Sequence, residues 1–145
     1  MSDALTTSPA PEANLGYLFR LAHQSFRAAL EAALADLGLS AQEYVVLSVF
    51  ESRAELSTSE LARLTQVTRQ TMHAAVLALE SAGLLERRAR NQRVVLVRPT
   101  RKGREALEAA TATAQVREVE RAALAGLSAD EERAVRTWLA GIASA

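Results

Sequence analysis

A sharp turn between two amphipathic segments is the feature that most limits how this chain can fold. Apolar residues at spacings of three and four predict a helix on each side of Gln66-Val67-Thr68. Ser57 and Glu60 form a capping box at the start of the first helix, and Thr68 can cap the second, predicted over residues 69–82. Because only three residues join them, the two helices must lie in contact at an angle.

Four further helices flank this corner. The apolar period predicts helices over residues 15–38, 41–52 and 100–125, and a last helix that begins at Ser128. Residues 1–13 are rich in Ser, Thr, Ala and Pro and lack an apolar period, so we predict a flexible tail there. The 145 residues are enough to bury one hydrophobic core, which indicates a single domain.

The period changes from helix to strand after Gly83. Two β-prone runs, 84–87 and 94–97, lie on either side of a polar stretch, 88–93, that holds three arginines. This pattern is typical of a hairpin with a basic tip. The predicted fold is therefore mainly α, with four helices, a small β-hairpin and two more helices.

Charge is segregated along a chain whose formal net charge is zero. Residues 56–104 hold ten basic and three acidic residues, a net charge of +7, and the rest of the chain carries −7. Such a basic cluster is typical of a face that binds phosphates, and it favours a nucleic acid as partner. The alternative is an ordinary solvated surface, since helical proteins also cluster charge.

The composition excludes several other functions. Without cysteine there is no disulfide, no thiolate zinc site and no thiol nucleophile. The two histidines, His23 and His73, have no companions at metal-ligand spacing, and neither a Ser-His-Asp pattern nor a Gly-rich phosphate loop is present. We therefore expect no catalytic residue, no metal and no cofactor. No apolar run reaches the roughly 18 residues that span a bilayer, so we expect a cytoplasmic protein without a membrane partner.

A helix-turn-helix followed by a basic hairpin is suited to double-stranded DNA. The first helix braces the second, whose N-terminal residues enter the major groove, and the hairpin can reach phosphates or the minor groove. The alternative is a helical corner that only packs. The candidate DNA-contacting residues are Ser57, Thr58, Thr68, Arg69, Gln70, Thr71, His73, Arg88, Arg90 and Arg93.

From about Asn14 to its end the sequence resembles the MarR family of winged helix-turn-helix transcription regulators. Four motifs in the family's order carry the resemblance: Leu-Ser-Thr-Ser-Glu-Leu-Ala at 56–62, Gln-Thr-Met at 70–72, Leu-Glu-Ser-Ala-Gly-Leu-Leu-Glu-Arg at 79–87, and Asn-Gln-Arg at 91–93 with Pro-Thr-Arg-Lys-Gly at 99–103. Asn91 stands where the family has an aspartate. A neutral hydrogen bond is therefore expected to replace the charged brace of Arg93.

The resemblance implies a homodimer. Residues 14–39 and 100–145 would form the dimerisation region, and residues 40–99 the DNA-binding lobe, with the helix-turn-helix at 57–82 and the wing at 84–98. The apolar stripes of the first and last helices predict the same dimer, because a monomer would leave them in water. A two-fold axis places two recognition helices about one DNA turn apart, so the family's function implies a repressor at a pseudo-palindromic operator.

The resemblance also implies a small aromatic or lipophilic effector, bound between the dimer helices and the DNA-binding lobe. Phe19, His23 and Tyr44 are the candidate lining residues, and core packing is the alternative role for each. A second hypothesis for the whole chain is a helical protein-interaction module that keeps the fold but has lost operator binding. It is motivated by Ala74 and Ala78, which stand where relatives often have arginine.

Overall fold

The computed structural model of the chain describes residues 8–145, so the predicted tail lies partly outside the described residues. This part of the chain forms seven α-helices and three short strands. They are α1 (Leu15–Leu34), α2 (Ala41–Val49), β1 (Leu56–Ser57), α3 (Thr58–Thr65), α4 (Arg69–Ser81), β2 (Leu85–Ala89), β3 (Val95–Pro99), α5 (Arg101–Ala112), α6 (Ala114–Ala123) and α7 (Ala129–Ala143). The fold class predicted from the sequence is confirmed: mainly helical, with a small antiparallel sheet.

Side chains cap the helix starts where the sequence predicts them. Ser40, Ser57 and Ser128 each accept a hydrogen bond from the backbone amide three residues on, at 3.0, 3.1 and 3.2 Å. A glutamate at that third position accepts the serine's own amide in return, so all three predicted capping boxes are present. The hydroxyl oxygens of Thr68 and Thr100 cap α4 and α5 in the same way.

The helix predicted over residues 100–125 is in fact two helices. The break lies at Thr113, whose backbone is extended (φ −66°, ψ 137°) and whose hydroxyl donates to Gln115 Oε1 at 2.6 Å. A β-branched residue loses side-chain freedom inside a helix, which favours the extended backbone at Thr113. Its hydroxyl caps no amide of α6. α1 also ends earlier than predicted, at Leu34, and a 3-10 turn, Ala35–Leu37, carries the chain to Gly38. α2 ends at Val49, three residues before its predicted end.

The sheet has the strand order β1-β3-β2, and both pairings are antiparallel. The hairpin register runs from Leu85 opposite Pro99 to Ala89 opposite Val95. β1, which was not predicted, pairs Leu56 with Val97. Two residues are too few for a periodic signal, so such a strand is found only once the tertiary fold supplies its partner.

One hydrophobic core joins α2, α3, α4 and the sheet to the end of α1. Met72, Val76 and Leu79, the face of α4 predicted to point inward, are fully buried. The large side chains that are fully buried are Leu34, Val46, Leu47, Leu61, Met72, Val76, Leu79, Leu85 and Val97. They come from α1, the 40–99 lobe and no later helix, so the core lies mainly beneath the helix-turn-helix.

α1, α6 and α7 form a second layer with little buried surface of its own. α1 packs along α6, and Phe19 on α1 stacks on Trp138 of α7 with ring centroids 5.5 Å apart. Arg136 of α7 lies 3.7 Å from Glu120 of α6. No residue of α7 is buried, and Trp138 remains 49 % exposed. Among residues 8–145, no helix is long and apolar enough to cross a membrane.

Candidate nucleic-acid interface

The turn between α3 and α4 is set by backbone geometry and a hydroxyl cap. Gln66 has a left-handed backbone (φ +53°), the one such conformation among the non-glycine residues that the structure describes. The Val67 amide then donates to the Ala62 carbonyl at 3.1 Å and closes α3. The Thr68 hydroxyl accepts from the Thr71 amide at 3.1 Å and donates to the Thr71 hydroxyl at 2.9 Å. Thr68 therefore fixes the start of α4 directly after the turn.

The end of α7 reaches this turn. The side-chain amide of Gln66 donates to the carbonyl of Ala143 at 2.8 Å, across 77 positions of sequence. The last carbonyls of a helix have no partner inside the helix, so this bond satisfies one of them. The C-terminal helix and the helix-turn-helix are thus in direct contact.

α4 buries one face and presents a polar one. Opposite its buried residues, the side chains of Arg69, Gln70, Thr71 and His73 are all exposed in the first turns of the helix. Amide, hydroxyl, imidazole and guanidinium groups are the types that read base edges and contact phosphates. All four predicted residues are thus exposed within the first five residues of α4.

Of the two candidates at the start of α3, Ser57 has a structural role. The Ser57 hydroxyl caps α3, and the residue is also paired with Leu96 in the sheet. Ser57 and Thr58 are both half-buried. Direct DNA contact by either remains a prediction.

Most arginines of the wing are paired with carboxylates. Arg88 Nε donates to Glu55 Oε2 at 3.2 Å, and a second guanidinium nitrogen of Arg88 donates to the other oxygen of the same carboxylate. Arg87 pairs with Glu80 at 2.6 Å, and Arg98 with Glu86 at 2.7 Å. Arg88, a candidate DNA contact, therefore holds β2 against the segment before β1 and is not free to bind a phosphate without losing that bond.

Asn91 shapes the tip of the wing through the backbone. Its Oδ1 accepts from the amides of Arg93 and Val94 at 2.8 and 2.9 Å, and the Arg90 amide donates to the Val94 carbonyl at 2.9 Å. The expected hydrogen bond between Asn91 and Arg93 therefore forms with the main chain of Arg93 and not with its guanidinium. The Arg93 side chain stays exposed at the tip.

Four arginines of the basic segment remain available for an outside partner. Within the described residues, the side chains of Arg63, Arg69, Arg90 and Arg93 make no ion pair or hydrogen bond, and all four are exposed. Arg63 was not among the sequence candidates. It lines a hollow on the α3–α4 corner with Arg69. Its position in the last turn of α3, beside the turn, is the signal that could have identified it.

The three candidate effector residues line two separate hollows. Phe19 and His23 line a space of about 720 Å³ between α1, α6 and α7. Tyr44 lines another of about 660 Å³ between α1, α2 and α6. Phe26, which was not among the predicted lining residues, lines both hollows. In residues 8–145 no group of three or more His, Asp or Glu side chains could hold a metal ion.

Comparison with known proteins identifies the family. The sequence profile described as the MarR family matches residues 37–93. The HTH-type transcriptional repressor Rv2887 of Mycobacterium tuberculosis (strain ATCC 25618 / H37Rv) is 34% identical over 135 residues, which cover 93% of this chain and 97% of that protein. The chain belongs to the MarR family. It is thus a DNA-binding transcription regulator of the winged helix-turn-helix type and not an enzyme.

Solved structures of MarR-family proteins share the fold. The crystal structure of Rv2887 in complex with DNA is 34% identical, covers 90% of this chain and 98% of that one, and superposes with a TM-score of 0.69. Its complex with salicylic acid covers 92% and 99% at the same identity, with a TM-score of 0.70. A MarR-family regulator from Rhodococcus sp. RHA1, 24% identical over 94% of this chain and 96% of that one, has a TM-score of 0.83 and supports the fold alone.

Proposed function

We propose that this MarR-family regulator is a homodimeric repressor that binds a pseudo-palindromic DNA operator in the cytoplasm. The observation that carries the proposal is a set of exposed side chains: the first turns of α4, the arginines Arg63 and Arg69, which line a common hollow and form no ion pair within residues 8–145, and the wing tip with Arg90 and Arg93. α4 would enter the major groove, and the wing arginines would contact phosphates or the minor groove. The relative Rv2887 has been crystallised with DNA, which supports this mode of action.

The dimer is proposed from the exposed apolar surface of α1 and α7. Leu15, Tyr17, Trp138, Leu139 and Ile142 are between 45 % and 56 % exposed in the single chain. Large apolar patches on a soluble protein usually mark an interface. Residues 14–39 and 100–145 would then form the dimerisation region, and residues 40–99 would carry the DNA-binding lobe.

A helical protein-interaction module remains the second candidate, because Ala74 and Ala78 leave the exposed face of α4 poor in charge. Salt dependence separates the two candidates. We expect the protein to bind duplexes selected from the DNA that flanks its own gene. Its affinity for them should fall steeply as the salt concentration rises, since each phosphate contact releases counterions. Absence of duplex binding at low salt would favour the interaction module instead.

The wing is tested by Arg93→Ala. We expect this variant to bind all duplexes more weakly and to reduce the slope of log affinity against log salt by about one unit, the loss of one phosphate contact. If Arg93 enters the minor groove, the loss is concentrated on A·T-rich flanks. Titration by fluorescence anisotropy at several salt concentrations measures the slope. Arg101→Ala is the matched control, because Arg101 is exposed but pairs with Glu105; equal slopes for the two variants would remove the wing from the mechanism.

Reading of bases is tested by Gln70→Ala. Gln70 lies one turn from His73 on the exposed face of α4. An amide that bonds one base bidentately contributes about 1–3 kcal/mol of discrimination, so we expect the variant to lose preference at one operator position and keep its non-specific affinity. Duplex selection with the wild type, Gln70→Ala and the α1 control Gln24→Ala measures that preference. Identical selected sequences for all three would show that Gln70 reads no base.

A small aromatic carboxylate is proposed as the effector that releases the operator. The salicylic acid complex of Rv2887 supports this class of ligand. The hollow lined by Phe19, His23 and Phe26 is the proposed site, because it lies between helices expected to form the dimer and combines an aromatic wall with an imidazole donor. Tyr44 belongs to the neighbouring hollow, which shares Phe26.

A further inference from the structure

A third hollow lies at the root of the wing, away from α1. Its volume is about 310 Å³, at the lower end of the range of small-molecule sites. The end of α2, the segment before β1, the end of β3 and the first turns of α5 surround it. Its floor is apolar, since Leu47, Phe50 and Pro99 are buried and Leu107 is half-buried. A compact apolar group would find water-excluding contacts there.

The walls of this wing-root hollow carry excess positive charge. Arg53, Arg98 and Arg104 line it, against the single carboxylate of Glu55. Arg104 donates to the Pro99 carbonyl at 3.1 Å and forms no ion pair within residues 8–145. Arg53 donates to a serine hydroxyl at 3.2 Å and makes no ion pair within the described residues.

The side chains that line the hollow carry three guanidinium groups and one carboxylate, an excess of two positive charges. Glu55 is held by Arg88, and Glu86, beside the hollow, by Arg98, so Arg53 and Arg104 have no carboxylate partner within residues 8–145. Glu51 and Glu108 line an adjoining hollow with Arg104 and form no ion pair with it. A dianion balances the excess charge, and guanidinium groups bind phosphate oxygens in a planar, bidentate geometry.

The hollow is also connected to the wing. Glu86 on β2 lies directly opposite Arg98 on β3, and Arg88 on β2 pairs with Glu55. Both of these ion pairs thus join β2 to a residue that lines the hollow. An anion held by Arg53 and Arg104 also attracts Arg98 away from Glu86 and repels the carboxylate of Glu55, so its binding weakens the two ion pairs that fix β2.

We propose that the wing-root hollow binds a small organic phosphate monoester with a compact apolar group, and that its binding lowers the affinity of the wing for DNA. A phosphate monoester has its second pKa near 6 and is dianionic above neutral pH, which matches the charge excess. Its apolar group fills the floor formed by Leu47 and Phe50. Binding itself is independent of the proposed function, and only the effect on DNA affinity rests on it.

The test is calorimetry with phenyl phosphate on the full chain at pH 7.5. Arg53 is exposed and pairs with no carboxylate of residues 8–145, so Arg53→Gln removes a charge without removing an ion pair seen in the structure. We expect phenyl phosphate to bind the wild type and to bind Arg53→Gln at least tenfold more weakly, with partial recovery in Arg53→Lys. Benzoate lacks the second negative charge and inorganic phosphate lacks the apolar group, so each should bind at this site more weakly than phenyl phosphate.

Two control variants separate the hollow from general charge. Arg27→Gln, on α1, and Arg93→Ala, at the wing tip, each remove one exposed cation and should leave phenyl phosphate affinity unchanged. An equal loss in the controls and in Arg53→Gln, or no loss in Arg53→Gln, overturns the site. Saturating phenyl phosphate should weaken duplex binding of the wild type severalfold and that of Arg53→Gln much less. A chain that binds phenyl phosphate as described but no duplex would refute the proposed function and leave the site standing.

Discussion

Gly103→Ala is expected to lower the free energy of unfolding by about 3 kcal/mol, the upper end of the usual cost of overpacking. A Cβ at this position would lie 2.0 Å from the carbonyl oxygen of Leu84 and 2.9 Å from its carbonyl carbon. Both are backbone atoms and cannot rotate away, so α5 or the exit of α4 must move. Urea denaturation of the wild type and the variant measures the difference.

The same substitution should weaken DNA binding, because Gly103 of α5 packs against Leu84, which connects the end of α4 to β2. The Thr100 amide donates to the Leu84 carbonyl at 3.0 Å, and the Thr100 hydroxyl donates to the Gly83 carbonyl at 2.5 Å. Moving α5 away from Leu84 breaks these bonds. Gly141→Ala is the control, since nothing lies within 4 Å of a Cβ there and alanine in a helix is favoured over glycine by about 0.5–1 kcal/mol. If Gly103→Ala unfolds at the wild-type urea concentration, this close contact is not present in solution.

Trp138→Ala is expected to shift the protein from dimer to monomer and to reduce operator binding with it. We expect the wild type to be an obligate dimer whose interface buries more than about 2,000 Å², and a central tryptophan of such an interface contributes about 2 kcal/mol or more. Both chains of the dimer carry the substitution, so the loss is about 4 kcal/mol and raises the dimer dissociation constant roughly a thousandfold. Sedimentation at several protein concentrations, with anisotropy on one operator, measures both effects.

Leu127→Ala is the control for this prediction. Leu127 is 41 % exposed, close to the 49 % of Trp138, but lies in the turn before α7 and outside its apolar face. Its dissociation constant should stay near that of the wild type. If light scattering finds a folded wild-type monomer at micromolar concentration, both the dimer and the palindromic operator must be given up.

Local signals in the sequence were sufficient for most of the fold. The capping boxes at Ser40, Ser57 and Ser128 depend on residues three apart, and the inward face of α4 depends on a single helical period. β1 forms only because β3 pairs with it, and the break at Thr113 depends on the extended backbone of one residue. Neither feature has a periodic pattern in the sequence. Prediction therefore succeeded where the interacting residues are neighbours in sequence.

The sequence predicted which residue types form the candidate site. It did not predict which of its arginines are free of carboxylate partners and can contact DNA. Arg88 and Arg93 look alike in the sequence, but only the structure brings Glu55, 33 positions away, onto Arg88. Arg63 was omitted because the candidates were taken from the starts of α3 and α4 and from the wing, whereas Arg63 lies in the last turn of α3 and lines a hollow with Arg69. Charge count predicted the kind of partner, and pairing decides which arginines can contact it.

The hydrogen bond from Gln66 to Ala143 connects two parts of the fold that are distant in sequence. It joins the last turn of α7 to the turn that precedes α4, at a distance of 2.8 Å. α7 has no buried residue of its own and leans on α1 and α6 through Phe19 and Glu120. In the proposed dimer, where α7 packs against the partner chain, a tilt of one α4 would therefore be transmitted to the dimer interface. The distance between the two copies of α4 would then depend on both chains together.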